Sequence, residues 1–327
     1  VIAYCSSGRN GPRGFVQKWV YMHIVLAVSM MPLLLVFFQQ ASVIAPVANS
    51  LAVPYIGMIV VPVALTGTLL FSVSETAGVW WLDIAARLTD CVWPWLNSLA
   101  GLEHALWQQH QPVPWTLLPA FAGLAICFMP RGIPGRWLAL LLLLPLVVIE
   151  PLRPEWGEAR ITLLDVGQGL AAVVQTQRHV LVYDAGPRFS ETFDAGKAVV
   201  VPFLRHSGIR TLDMLIVSHG DNDHIGGVAS LLADYPAKEL LTSVPGKLSS
   251  SHVGHCWQDR HWVWEGVSFT LLHPARDSRL RGNNASCVLR IQSAGGHGVL
   301  MTGDIEAQAE QALLRRSRLQ LAAAVLI

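Results

Sequence analysis

Charged side chains are scarce in this sequence of 327 residues. They make up 14% of it, whereas typical soluble domains contain about 25%. Residues 1–150 hold only 11 of the 45 charged side chains. From Trp19 to Ser74 a run of 56 residues contains no Asp, Glu, Lys or Arg, and a helix needs only about 20 residues to cross a bilayer. This predicts a membrane region, followed over residues 151–327 by a domain that folds in water.

Paired cysteines and a strong net charge are also missing. The five cysteines are odd in number, occur in both halves and include no C-x-x-C pair; they are Cys5, Cys91, Cys127, Cys256 and Cys287. This pattern argues against a disulfide framework or a zinc ribbon and predicts free thiols in apolar surroundings. The net charge of +1 gives no global attraction for nucleic acid, so any such binding must come from local patches.

The sequence starts at Val1 and stops at Ile327 inside an apolar run. We therefore expect a fragment of a longer polypeptide, cut at both ends.

Residues 1–152 are predicted to form a polytopic α-helical membrane bundle. Crossings are expected at Trp19–Phe38 and Leu51–Val73, and shorter apolar runs follow at 115–129 and 137–149. Residues 78–107 mix tryptophans with charges and predict an amphipathic helix bent at Pro94. That helix fits either the bilayer interface or a polar-faced position inside the bundle.

The basic residues around this region indicate its orientation. Arg9, Arg13 and Lys18 precede the first span, and Arg131 and Arg136 separate the last two apolar runs. The positive-inside tendency places both segments in the cytoplasm, so the last span would deliver the second half to the extracytoplasmic side. One intervening segment must then be re-entrant or interfacial.

After a polar linker at 153–160, residues 161–327 have the pattern of a sheet-rich α/β layered domain. Strands are predicted at 161–164, 171–175, 180–183, 214–218, 267–272, 287–292, 299–302 and 321–327. Helices are predicted at 204–208, 227–235 and 306–318.

The strongest chemical signal follows the strand predicted at 214–218. His219, Asp221, Asp223 and His224 are four potential metal ligands within six residues. Imidazole and carboxylate ligands together suit Zn or Mn, and the lack of thiolate argues against a purely structural zinc. An Asp-rich loop that only caps the next helix is the alternative, but capping explains one of these residues and not four. Gly226 and Gly227 would let the next element pack closely.

This run, H-x-D-x-D-H, resembles the second motif of the metallo-β-lactamase superfamily, with Asp221 where a histidine is commoner. The run Leu181–Gly186 is similar to the family's early strand that ends in D-x-G, and Leu300–Asp304 is similar to its late strand that ends in an aspartate. The resemblance implies an αββα sandwich, incomplete at its carboxyl end.

More narrowly, the chain resembles ComEC-type competence proteins, which import single-stranded DNA. The residues that carry this resemblance are Asp165–Gly169, Ser218–Gly227, Asn283–Leu289 and Thr302–Asp304. It implies two divalent metals, Zn or Mn: His219 and Asp221 at one position, Asp223 and His224 at the other, and Asp304 between them. Asp223 would also orient the attacking water as the catalytic residue.

The resemblance also implies partners and a place in the cell. It points to DNA, membrane lipid and other competence-machinery proteins as partners, and to the bacterial inner membrane. Two departures limit it. Leu170 stands where the family often has an acidic residue, and a further ligand is expected in an H-H-G-S-like segment that would follow Ile327.

The leading hypothesis is a DNA-uptake protein whose second half is a nuclease-like phosphodiesterase that degrades the non-imported strand. The alternatives are a transport component with an inactive, DNA-guiding domain, and a membrane-tethered metallohydrolase of a small molecule.

Other polar residues admit two interpretations. Asn283, Asn284 and Ser286 suit either substrate binding or an ordinary turn. For Asp184 and His273 a turn is favoured over a role in the site. Base stacking by Trp257, Trp262 and Trp264 competes with strand packing. For the arginines at 276, 279 and 281, a solvated loop is favoured over phosphate contacts.

Overall fold

A computed structural model describes residues 12–129, 136–248 and 253–327. The chain divides into two compact units, Val1–Glu150 and Pro151–Ile327. The first unit is mainly helical. Its α-helices are α1 (Pro12–Phe38), α2 (Ala45–Tyr55), α3 (Val61–Phe71), α4 (Glu75–Ala100), α5 (Leu117–Phe128) and α6 (Leu144–Val148). A π-helical segment, Ile56–Val60, joins α2 to α3, and 3-10 segments at Pro114–Thr116 and Arg136–Leu143 precede α5 and α6.

Two helical segments of this unit are long and apolar enough to cross a membrane. They are Gln17–Phe38, with a mean hydropathy of 2.2, and Ala45–Phe71, with a mean hydropathy of 1.9. Large apolar side chains on both lie exposed, such as Phe37 at 71% and Leu69 at 72%. A helical first half with two apolar helices was predicted, and this part of the fold class is confirmed. The second segment begins six residues earlier than predicted, at Ala45.

The amphipathic helix differs from its predicted bounds. Helix α4 runs from Glu75 to Ala100 and continues through Pro94. It starts where the Ser74 hydroxyl accepts a hydrogen bond from the amide of Ala77. The prediction that the helix reaches residue 107 is wrong, because Leu106–Gln108 forms strand β2 and pairs with β1, Gln40–Ser42.

Close packing of α3 on α4 depends on a small residue. A Cβ atom on Gly78 would lie 2.5 Å from the Cα of Phe71, so only glycine allows this approach. The buried positions of α4 are Gly78, Ala85 and Val92, which repeat every seven residues on one face. Trp80 and Trp93 are exposed, at 61% and 58%.

The second unit is built on two sheets. The six-stranded sheet has the order β3-β4-β5-β6-β7-β8, and the five-stranded sheet has the order β13-β12-β11-β10-β9. The strands are β3 (Arg160–Leu163), β4 (Ala172–Gln175), β5 (Val180–Tyr183), β6 (Leu212–Val217), β7 (Ala237–Thr242), β8 (Val253–His255), β9 (His261–Trp264), β10 (Val267–His273), β11 (Val288–Gln292), β12 (Gly298–Met301) and β13 (Val325–Leu326). The helices are α7 (Val201–His206), α8 (Asn222–Ile225), α9 (Val228–Asp234) and α10 (Ala307–Ser317).

Side chains alternate between the two faces of each sheet, and the second unit therefore has three apolar cores. Val182 and Leu215 face Leu204 of α7 and Leu231 of α9 in the first core. The adjacent residues of the same strands, Leu181 and Ile216, point the other way. They meet Phe269 and Leu289 of the five-stranded sheet in the second core. Leu272, Val288 and Leu300 form the third core with Leu313 of α10. The layers are helix, sheet, sheet and helix, and the predicted αββα sandwich is confirmed.

Strand direction places the loops that carry the motifs. β3, β4 and β5 form an antiparallel meander, whereas β5, β6, β7 and β8 are parallel. The carboxyl ends of parallel strands meet at one edge of a sheet, where open α/β sheets bind ligands. Residues after Tyr183, Val217, Thr242 and His255 therefore share one edge.

Several elements were not predicted or are shorter than predicted. Strands β7 and β8 and the π-helical segment Gly196–Val200 were missed, and the strand predicted at 321–327 is reduced to β13. β7 was missed because its first half, Ala237–Glu239, is charged and only partly buried.

Cys256 and Cys287 form a disulfide, so the prediction of free thiols is wrong for these two. Cys256 follows β8 in one sheet and Cys287 precedes β11 in the other, and the sandwich brings their Cα atoms to 5.8 Å. They are 31 residues apart in the sequence, and this spacing does not indicate a disulfide, because the two cysteines become neighbours only in the folded domain.

We expect the double variant Cys256→Ser, Cys287→Ser to lower the free energy of unfolding of the second unit by about 3–4 kcal/mol, from the length of the closed loop. Urea unfolding followed by tryptophan fluorescence measures this. Cys91→Ser is the control, because Cys91 is an exposed free thiol. If alkylation without reductant labels Cys256 and Cys287 as readily as Cys91, the disulfide is absent.

Candidate metal centre

The run from His219 to His224 lies at the carboxyl edge of the six-stranded sheet. Strand β6 is buried along its whole length and ends at Val217. His219 is fully buried, and α8 begins at Asn222. Asp221 occupies the N-cap position, but within the described structure its side chain makes no capping hydrogen bond. Helix capping therefore does not account for this aspartate.

Backbone contacts bring the separate motifs together. The amide of Leu170 donates to the carbonyl of Asp223 at 3.1 Å, and the amide of Ala185 donates to the carbonyl of His224 at 2.9 Å. A Cβ on Gly227 would lie 2.3 Å from the Ala185 carbonyl oxygen. The expectation that glycine permits close packing after the ligand run is confirmed at this position.

Asp184 fixes the orientation of His224. Its carboxylate is fully buried and lies 2.7 Å from Nδ1 of His224. A carboxylate at Nδ1 holds the proton there and leaves the lone pair of Nε2 to face the acidic residues above. The site therefore presents the nitrogen of His224 that a metal can bind.

Ser218 orients His219 in a similar way. The Ser218 hydroxyl donates to Asp184 Oδ2 at 2.7 Å, so its oxygen is free to accept from Nδ1 of His219, 3.0 Å away. Nε2 of His219 is buried and has no hydrogen-bond partner among the described residues. A buried nitrogen left without a partner is costly, and a metal ligand bond would satisfy it.

Carboxylates surround the two Nε2 atoms. Asp304 Oδ1 lies 3.2 Å from Nε2 of His224, and Asp223 Oδ2 lies 3.7 Å from the same atom. Asp221 Oδ2 lies 3.6 Å from Nε2 of His219. One ligand atom each of His219, Asp223 and His224 falls within 4.8 Å of the others, the spacing of a metal cluster. The structure therefore brings the five predicted ligands together, with three carboxylates around the two imidazoles.

Burial separates these ligands into two layers. Both imidazoles are at most 2% exposed, whereas the carboxylates of Asp223 and Asp304 are each 43% exposed and that of Asp221 is 56% exposed. The site has a buried imidazole floor and an acidic rim open to solvent. A substrate can approach from the acidic side.

The electrostatics favour a cation at this floor. Burial lowers the pKa of His224, but the hydrogen bond to Asp184 and the charges of Asp184, Asp304 and Asp223 raise it further, to about 9. Burial and the nearby His224 lower the pKa of His219. The carboxylates thus hold a positive charge at His224, either a proton or a divalent cation in its place. Two imidazoles and three carboxylates without thiolate suit a hard or borderline divalent metal.

Asp184 was interpreted from sequence as a turn residue, and that interpretation is incomplete. It does close β5, with a positive φ of 58°, but its carboxylate also accepts bonds from the Ser218 amide and from Nδ1 of His224, both at 2.7 Å. The missed signal is topological. Because β5 pairs with β6 in parallel, an Asp after β5 must lie beside the residues after β6.

The predicted substrate-binding residues have structural contacts. Asn284 Oδ1 accepts from the amides of Glu306 and Ala309 at 3.2 Å each, and its amide nitrogen donates to the carboxylate of Glu306. Ser286 is buried and donates to the carbonyl of Asn283 at 2.7 Å. These bonds shape the Gly282–Ala285 turn and hold it against the start of α10. No hydrogen bond is recorded for the side chain of Asn283 within the described residues.

His273 and two of the tryptophans also serve the fold. His273 is buried with Nε2 at 2.9 Å from the carbonyl of Asn284, which agrees with the favoured structural interpretation. Trp262 stacks on Phe269 at 5.2 Å, and Trp264 stacks on His179 at 4.9 Å. Both rings therefore pack within the fold.

Comparisons with known proteins agree with both halves of the chain. The family model of the competence proteins, "Competence protein", matches residues 2–133, and that of the "Metallo-beta-lactamase superfamily" matches residues 164–325. Among solved structures, a mutant metallo-β-lactamase from Cronobacter sakazakii is 15% identical, covers 53% of this chain and 74% of its own, and has a TM-score of 0.33.

Curated relatives come from several bacteria. Competence protein ComA of Neisseria gonorrhoeae is 32% identical over 291 residues, which is 88% of this chain and 40% of that protein. ComE operon protein 3 of Bacillus subtilis is 27% identical over 324 residues, 89% of this chain and 41% of that protein. Recombination protein 2 of Haemophilus influenzae is 36% identical over 163 residues, 50% of this chain and 20% of that protein. The chain spans about 40% of the length of ComA.

The fold and the family match together define the second half as a metallo-β-lactamase superfamily domain, and this fold implies binding of a divalent metal. The first half is a Competence protein domain. The chain joins the two in this order and aligns with ComA over 88% of its length.

We expect Asp184→Asn to raise the dissociation constant for zinc about 10- to 100-fold, because the amide no longer holds the Nδ1 proton of His224 as a carboxylate does. Isothermal titration of the metal-stripped chain measures this. Asp213→Asn is the matched control, since Asp213 is also buried but lies at the opposite end of β6 and binds Lys238. Equal zinc affinity in wild type and Asp184→Asn would contradict the orienting role.

Proposed function

We propose that this protein takes part in DNA uptake across the bacterial inner membrane, and that its second unit is a metal-dependent phosphodiesterase acting on the strand that is not imported. Single-stranded DNA, membrane lipid and other proteins of the competence machinery are the proposed partners. The Competence protein domain and the relatives named for competence support the process. The metal centre supports the chemistry.

The observation that carries the hydrolase proposal is the pair of oriented imidazoles beneath an acidic rim. We assign His219 and Asp221 to one metal position, Asp223 and His224 to a second, and Asp304 between them. Two divalent cations, Zn or Mn, would supply a nucleophile from water at neutral pH and offset charge on a phosphoryl oxygen. The 3.2 Å and 3.7 Å distances of Asp304 and Asp223 from His224 support this set.

The chain's own residues prepare the site for that chemistry. Asp184 and Ser218 fix both imidazoles from below, so the ligands need no rearrangement. The carboxylate of Asp223, partly exposed at the rim, would orient the attacking water and accept its proton. The acidic rim repels a bare phosphodiester, so the approach of the scissile phosphate to the rim would depend on the metals being in place.

Linear DNA incubated with the full-length protein and Mn or Zn tests the nuclease. We expect Asp223→Ala and Asp304→Ala each to lower the cleavage rate at least about 100-fold, because each removes a ligand and Asp223 also orients the water. Asp213→Asn is the control and should cleave like wild type. If wild type shows no metal-dependent cleavage, the nuclease proposal is wrong; if cleavage survives both substitutions, the residue assignment is wrong.

We also propose that the membrane region, residues 1–152, delivers the metallo-β-lactamase-like domain, residues 161–327, through the 153–160 linker to the extracytoplasmic side. The disulfide Cys256–Cys287 supports this orientation, because disulfides persist in oxidising compartments and are rare in the cytosol.

Reporter fusions at Pro154 test the orientation. We expect an alkaline phosphatase fusion there to be active and a green fluorescent protein fusion to be dark, since phosphatase needs an oxidising compartment to form its own disulfides. A fusion just before Lys18 is the control and should give the opposite pair of signals. Bright fluorescence at Pro154 would place the domain in the cytoplasm.

A further inference from the structure

A groove of about 710 Å³ opens on the second unit. Its walls are the loop after β8, the loop after β10 and the end of α10. The side chains that matter here are His255, Trp257, Arg260, Arg276 and Arg316. This cavity has no role in holding the metal ligands, so its composition calls for a separate explanation.

The floor of the groove is aromatic. The rings of His255 and Trp257 are stacked, with centroids 4.1 Å apart and planes 21° from parallel. Trp257 lies in a loop and not in β9, so it differs from Trp262 and Trp264, whose rings pack within the sheets. Nδ1 of His255 is buried and has no hydrogen-bond partner among the described residues. The floor thus offers a flat π-surface.

The walls carry guanidinium groups. Arg276 is exposed and makes no ion pair within the described part of the chain. Arg316 forms two bonds with Asp277, at 2.8 and 2.9 Å, which leaves three of its five N–H donors for other acceptors. Of the three arginines in the lining, Arg260 pairs with Glu239 and Arg316 with Asp277, whereas Arg276 makes no such pair among the described residues, so the groove presents guanidinium groups while the metal rim is acidic.

The groove is tied to the metal centre. His255 pairs with Thr242, and Thr242 with Val217, so His255 lies two strand spacings, about 10 Å, from Val217, which precedes His219 by two residues at the same sheet edge. Cys256, between the two stacked residues, is bonded to Cys287. The amide of Cys287 donates to the carbonyl of Ser218 at 2.9 Å, one residue before His219.

We propose that this groove binds a segment of single-stranded nucleic acid and positions it for the metal centre, with a base on Trp257 and phosphates on Arg276 and Arg316. The ligand class rests on the proposed function. A π-surface joined to guanidinium groups is the combination that binds single strands without sequence preference. The disulfide holds this floor at a fixed distance from His219.

Binding of a fluorescein-labelled oligothymidylate to the full chain in detergent, measured by anisotropy with EDTA present, tests the groove without cleavage. We expect Trp257→Ala to weaken binding roughly 10-fold or more and Trp257→Phe to restore most of it. We expect Arg276→Ala to reduce the slope of log affinity against log salt by about 0.7, the loss of one phosphate contact. Arg276 is exposed, so this variant keeps its fold.

Matched controls are Trp156→Ala and Arg178→Ala. Trp156 is 66% exposed and lies against Gly266, outside the groove, and Arg178 is exposed in the turn before β5, at the opposite sheet edge. Both should bind like wild type. If the control variants lose as much affinity as the groove variants, binding depends on charge spread over the surface and the proposal is wrong. Unchanged affinity in Trp257→Ala and Arg276→Ala would also overturn it. Thymidine monophosphate that competes as strongly as the oligonucleotide would also overturn it.

The groove proposal and the nuclease proposal can be disproved independently. Asp223→Ala and Asp304→Ala should lose cleavage and keep oligonucleotide binding in EDTA. If wild type never cleaves but Trp257→Ala still weakens binding, the groove stands and the phosphodiesterase proposal is wrong. If cleavage is metal-dependent but substitution of Trp257 and Arg276 leaves binding unchanged, the phosphodiesterase proposal stands and the groove proposal is wrong.

Discussion

The buried carboxylate of Asp184 is the constraint on which the metal centre depends. It is fully buried and accepts three hydrogen bonds at 2.7 Å, from the Ser218 amide, the Ser218 hydroxyl and Nδ1 of His224. A buried charge without such partners is strongly destabilising. Each of these bonds also fixes a group of the site: the end of β6, the acceptor for His219 and the orientation of His224.

The backbone makes this arrangement possible at some cost. Asp184 has a φ of 58°, the left-handed region that aspartate tolerates better than most residues. This conformation turns the chain sharply at the end of β5, so Ala185 can bond to the carbonyl of His224. Asp184 thus links the ends of β5 and β6 through both its backbone and its side chain. One residue therefore forms the turn after β5 and also orients the site.

Much of the fold and site follows from local patterns in the sequence. The ligand run can be recognised because a strand and four ligands are contiguous, whereas Asp304 is found only through the resemblance of Leu300–Asp304 to the family's late strand. The contacts that depend on distant parts of the chain are not visible in this way. The role of Asp184 follows from parallel pairing of β5 with β6, and the disulfide joins residues on different sheets. Partly charged strands such as Ala237–Thr242 lack the apolar alternation that marks a strand.

The same reasoning explains why Asn284 is ambiguous in sequence and definite in structure. An Asn-rich segment next to a metal motif suits both substrate binding and a turn. The fold brings the start of α10 against it, and the Asn284 side chain then satisfies the free amides of Glu306 and Ala309, a need that every helix start has. Asp304 lies two residues before Glu306, so the contacts of Asn284 support the segment that joins this aspartate to α10. Asn284 thus has a structural role at the start of α10.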